Sequence, residues 1–115
     1  MNVNLDAVIN IAMRACFALT RNLQTKITYE GIKEIEGNDY DGNITKRFKI
    51  YIKFPKGQMV DFTIDDNQFT PDFIENLSGV FMRVHMYKNK IPESEFIILC
   101  MAAWFLNYGE EMKLL

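Results

Sequence analysis

Few residues in this chain have side chains suited to covalent or metal chemistry. Cys16 and Cys100 are the two cysteines and His85 is the one histidine. A cysteine acts as a nucleophile when a base or a positive charge holds it as thiolate, and such sites are polar and partly exposed. Both cysteines lie inside apolar helical stretches, so the expectation is two small buried hydrophobes in a reducing compartment. One histidine cannot build a multi-histidine metal site. His85 falls beside Val84 near a helical apolar stripe, which suits a packed or rim position. If the chain held a small ligand, His85 and Tyr87 would be the first residues to inspect.

The stretch Asp39-x-Asp41-x-Asn43 resembles the start of a calcium loop, but that loop needs Gly at its sixth position and Glu at its twelfth. Here those positions are Ile44 and Ile50, so a solvated turn is expected. Asp65-Asp66-Asn67 offers only the same loose match. No glycine-rich phosphate loop, zinc spacing, nucleophile elbow or paired-carboxylate motif is present in the sequence. The reading is a chain that is not an enzyme, with no catalytic residue, no metal and no cofactor.

Two other features concern binding. Arg47, Lys49, Tyr51 and Lys53 alternate with Phe48, Ile50, Ile52 and Phe54. Period two puts the basic set on one face of a strand, where it could meet a phosphate backbone and stack a base. That is the alternative reading, a sheet-based single-stranded nucleic-acid module. The leading reading rests on Phe96 to Leu106, eleven residues without a polar side chain. A helix apolar on every side must be covered on every side. Phe96, Ile97, Met101, Trp104 and Phe105 are therefore the expected partner-binding residues. The function expected is protein interaction through self-association, as an adaptor, inhibitor or assembly component. Methionines at 13, 82, 86 and 101 on helices could add an adaptable surface, though core or rim roles are the expectation for most.

The elements that position these residues follow from periodicity. A helix is predicted from Asn4 to Arg21. Asn4 caps it and Asp6 complements its positive end, while Leu5, Val8, Ile9, Ala12, Cys16, Leu19 and Leu23 form the stripe. Ile11, Ala15 and Phe17 broaden that stripe toward burial on more than one side. Residues 25 to 36 read as a strand with a bulge at Gly31, and 37 to 43 as a loop. The basic strand follows, then a turn at 55 to 58, then a strand with Val60, Phe62 and Ile64 inward. Matching apolar faces sets Phe54 opposite Val60, Ile52 opposite Phe62 and Ile50 opposite Ile64. The outer pairs are then Lys53 with Asp61, Tyr51 with Thr63, and Lys49 with Asp65. In that arrangement the aspartates neutralise part of the basic face.

Thr70-Pro71-Asp72 starts the next helix, with Phe73, Leu77, Val80, Phe81, Val84 and Tyr87 inward. Gly79 sits inside it and calls for close approach of another backbone. Pro92 opens the last helix, with Glu93 and Glu95 at its start and Gly109 just past its end. The predicted fold is α+β: an N-terminal helix, a three-stranded antiparallel meander, and two C-terminal helices on one sheet face.

Length and composition set the limits. With 115 residues the chain is expected to be one domain. The apolar share of 49 % and charged share of 24 % fit a globular chain. A formal charge of −2 gives no reason to expect nucleic acid or an anionic membrane. The start of the chain does not read as a signal peptide, because Asp6 and Arg14 interrupt its apolar residues. The longest apolar run is also too short to span a membrane. A cytoplasmic protein is expected, and heavy use of Asn, Ile, Lys, Phe and Tyr suggests an AT-rich genome, a low-GC bacterium or its phage.

Overall fold

The computed structural model describes residues 3–38, 40–79 and 87–115. Helix α1 (Leu5–Leu23) is capped by Asn4, whose side-chain oxygen accepts from the Ala7 N–H at 2.8 Å. It closes on Gln24 in the left-handed region, φ 53°. Three antiparallel strands follow, β1 (Thr28–Asn38), β2 (Ile44–Lys53) and β3 (Met59–Asp65), in the order β1-β2-β3. A 3-10 turn over Asp66–Gln68 leads to α2 (Pro71–Ser78), and α3 (Glu93–Glu111) closes the described chain. The α+β arrangement is the one that the sequence predicts.

The two faces of β2 differ as its alternation demands. Phe48, Ile50, Ile52 and Phe54 are buried, with Phe62 and Ile64 beside them on β3, while Val60 is half-buried near the edge. Fully burying each such side chain is worth about 1.5–3 kcal/mol, so this face decides which side the helices cover. β1 joins with a bulge between Tyr29 and Gly31, where Gly31 has φ 142°. That φ lies outside the range an L side chain readily adopts, and the bulge stands where the sequence places it.

The β2–β3 register is two residues from the expected one. Ile52 faces Val60, Ile50 faces Phe62 and Phe48 faces Ile64, with Arg47 opposite Asp65 and Tyr51 opposite Asp61. The cause is a tight turn. The Phe54 N–H donates to the Gln58 carbonyl at 2.8 Å, and the Gly57 N–H to the Phe54 carbonyl at 2.9 Å. Only Pro55, Lys56 and Gly57 form the loop, and Gly57 has φ 96°, as three-residue hairpins with a left-handed final residue require. A shift of two preserves which side chains face inward, so the apolar face survives while every cross-strand charge pair changes partner.

Two glycines exchange their expected roles. Gly79 lies not inside a helix but at its end: α2 stops at Ser78, and Gly79 takes φ 70° as its cap. The inward residues of α2 are Ile74, Glu75 and Ser78, with Phe73 and Leu77 half-buried. The expected stripe positions Val80, Phe81 and Val84 lie outside the described residues, as do His85, Met82, Met86 and Asp39. Tyr87 is exposed. Gly109, expected past the end of the last helix, lies within α3. A Cβ there would come 2.6 Å from the Phe54 ring, so the residue is small because the sheet comes that close.

Candidate functional site

Helix α3 is the centre of the molecule, and its sides can be assigned one by one. Toward the sheet, Trp104, Phe105 and Tyr108 surround Phe62, with ring centroids at 5.1, 4.5 and 5.3 Å. Toward α2, Asn107 donates from its side-chain amide to the Ser78 carbonyl. Toward α1, Glu95 meets Arg14 at 2.7 Å. Glu93 and Glu95 occupy the first turn, where negative charge is favoured.

Three covered sides enclose most of the apolar run. Phe96, Ile97, Met101 and Phe105 are at most 1 % exposed, and Trp104 is half-buried on Phe62. Four of the five side chains expected to bind a partner are thus core residues. The sequence argument undercounted the cover that one chain supplies: sheet, α2 and α1 each take a side. Among the described residues the fourth side is left partly open along Leu99, Ala103 and Leu106, with Leu99 39 % exposed and the other two half-buried.

That open side forms one wall of a groove of about 520 Å³ between α1 and α3. Ala18 and Leu23 line the opposite wall, and Ile98 and Ala102 are nearly buried at its base. Alanines at 18, 102 and 103 keep it open, since a larger side chain at any of them would fill it. Phe17, next to Ala18 on α1, is 67 % exposed. This corrects its expected place in the buried stripe: the inward residues of α1 are Val8, Ile11, Ala12, Ala15, Cys16 and Leu19. Leu23 is exposed as well, and Met13 lies one turn before Phe17. Sequence reasoning missed this surface because its components come from two helices that touch only after folding.

The basic strand is arranged differently from its expected form. Arg47 donates from Nε to Asp65 Oδ1 at 2.6 Å, and Lys49 reaches Asp61 Oδ2 at 3.9 Å. Lys53 is exposed opposite Met59, and Tyr51 is half-buried opposite Asp61. Arg47 also lies over Gly37, its guanidinium carbon 2.9 Å from where a Cβ would stand. Two of the four residues on the proposed phosphate-binding face are therefore engaged by carboxylates of the neighbouring strand.

Both cysteines are buried free thiols. Burial pushes Cys16 up to about 12, and burial together with the nearby Glu75 carboxylate pushes Cys100 up to about 12. A thiol with that pKa stays protonated at neutral pH, the opposite of an activated nucleophile. Among the described residues no group of three His, Cys, Asp or Glu side chains could hold a metal ion, and no helix is long and apolar enough to cross a membrane.

No family model, curated protein or solved structure matches the chain.

Proposed function

We propose that this chain is a non-enzymatic protein-interaction module whose contact surface is the groove between α1 and α3. The observation that carries the reading is the open apolar stripe of Leu99, Ala103 and Leu106 facing Ala18 and Leu23, with Phe17 projecting beside it. Grooves between helices bind the apolar face of an amphipathic helix, using anchors spaced three and four residues apart. The module would serve as an adaptor, an inhibitor or an assembly component. The nucleic-acid reading has less support, because Asp65 and Asp61 engage Arg47 and Lys49.

A photo-crosslinking residue at Leu99 tests the reading in the native cell, with the same residue at Lys53 on the sheet as control. Discrete protein adducts at position 99 and none at 53 are expected. An absence of protein adducts at 99, or the same adducts at both positions, would overturn it.

A further inference from the structure

We infer that the free margin of β3 is a binding surface separate from the groove, and that it takes an extended basic segment of another protein as a fourth strand. Its support is independent of the groove.

The hydrogen-bonding parity of the hairpin lays out the margin. The Phe54 N–H donates to the Gln58 carbonyl directly opposite, and bonded pairs alternate with unbonded ones along an antiparallel ladder. The bonded pairs are then Ile52 with Val60, Ile50 with Phe62 and Phe48 with Ile64. Met59, Asp61, Thr63 and Asp65 therefore turn their N–H and C=O groups away from β2. The Asp65 N–H shows the same direction, since it donates to the Gln68 side chain and not to β2. Met59, Asp61 and Thr63 are left with their main-chain groups in a row. All three are exposed, and among the described residues no strand pairs with β3 on that side.

N–H and C=O groups on alternate residues of an open strand are matched by another strand. The two margins of the sheet differ in how well they can accept one. β1 is interrupted by its bulge and carries Lys33, Glu34 and Glu36. β3 pairs through its whole length without a bulge.

Charge and exposed ring surface give the occupant's chemistry. From Gly57 to Gly79 the chain carries Asp61, Asp65, Asp66, Asp72 and Glu75 and no lysine or arginine. Arg47 engages Asp65 closely, but Lys49 comes only within 3.9 Å of Asp61, whose side chain stays 49 % exposed. An incoming lysine or arginine beside Asp61 meets an accessible carboxylate. On the inner side, Trp104 and Tyr108 stand edge-on to Phe62 and are half-buried. Ring surface is thus left beside the outermost strand for apolar side chains. The fitting segment alternates basic and apolar residues. β2, which satisfies the other side of β3, has this pattern, with Arg47 and Lys49 outward and Phe48 and Ile50 inward.

Amide hydrogen exchange read by NMR on the full chain tests the inference, with a synthetic peptide of the sequence Lys46 to Lys53 as probe. In the free chain the Asp61 and Thr63 amides should exchange at least about tenfold faster than those of Val60, Phe62 and Ile64. The peptide should slow Asp61 and Thr63 by at least about tenfold, and a version with glutamate at its four basic positions should not. Thr63→Pro removes an outward N–H and no bond to β2, a change that edge strands tolerate, and should weaken peptide binding by at least about tenfold. Asp61→Lys should weaken it too, and an unchanged circular-dichroism spectrum shows that each variant folds. Slow Asp61 and Thr63 amides in the free chain overturn the inference, because the margin is then already covered. So does a lack of binding up to millimolar peptide, equal binding of the acidic version, or binding that survives either substitution in a folded variant. If the peptide protects α3 around Leu99 and Ala103 and leaves β3 unchanged, strand addition fails while the groove stands as a contact surface.

Discussion

Arg47 and Asp65 stand directly opposite each other on β2 and β3, joined Nε to Oδ1 at 2.6 Å across the bare face of the sheet. Their side chains are 35 % and 20 % exposed, drier than the Lys49–Asp61 pair at 37 % and 49 %. The Asp65 N–H also donates to the Gln68 side chain at 3.0 Å, so the contact lies where the sheet hands over to the turn before α2.

Removing this pair should cost more than removing its neighbour. Arg47→Ala is expected to lower unfolding free energy by about 1 kcal/mol, and Lys49→Ala by less than about 0.5 kcal/mol. Urea denaturation of both, with a double-mutant cycle through Asp65→Ala, makes the comparison. Equal losses, or no coupling between positions 47 and 65, would show that the pair does not help hold the hairpin.

Gly109→Ala reverses a usual rule. Within a helix this change ordinarily stabilises by about 1 kcal/mol. Here the new methyl would meet Phe54 at 2.6 Å, and Phe54 is fully buried. A net loss of about 1–3 kcal/mol is expected from overpacking, partly restored by adding Phe54→Leu. A stabilised single variant in thermal melts would refute the close approach.

Phe62 is the hub of the aromatic contacts between sheet and α3. Phe62→Ala should cost about 3–5 kcal/mol and move the emission of Trp104 to longer wavelength, because its edge-on neighbour at 5.1 Å is gone. Fluorescence of the native variant before denaturation reads the second effect separately from the first. An unmoved spectrum would mean that Trp104 is shielded by other groups.

The thiols predict a pH dependence with a definite sign. Each has a folded pKa of about 12 against an ordinary 9.0, so above pH 9 the unfolded chain releases a proton that the folded chain keeps. The stabilisation is complete below pH 9 and is lost as pH rises toward 12, at no more than about 1.4 kcal/mol per pH unit for each thiol. In urea melts between pH 8 and 11, Cys16→Ala should show a shallower decline than the parent chain. Identical slopes would contradict a raised thiol pKa.

How much of this was legible in the sequence depends on the range of the interaction. The alternation from Arg47 to Phe54 and the caps at Asn4 and Thr70 are local patterns, and each element they predict is present. The β2–β3 register was misjudged because two alignments differing by two residues bury the same side chains, and the deciding hydrogen bonds belong to the turn. Sequence alone places Gly79 inside a helix and Gly109 just past one, and both placements are reversed. One ends its helix through a left-handed backbone and the other yields to an aromatic ring from 55 residues earlier. The groove was not legible either, since Ala18 belongs to α1 and Ala102 and Ala103 to α3, and only folding places them together.

The irregular step at Glu30 in β1 has a bearing on how the molecule can gather. β1 is one margin of the sheet, and its ladder is broken at Glu30 and followed by the charged Lys33, Glu34 and Glu36. A kinked, charged margin is a poor template for an incoming strand. Growth by adding strands, the route to fibrils, is therefore discouraged along that border.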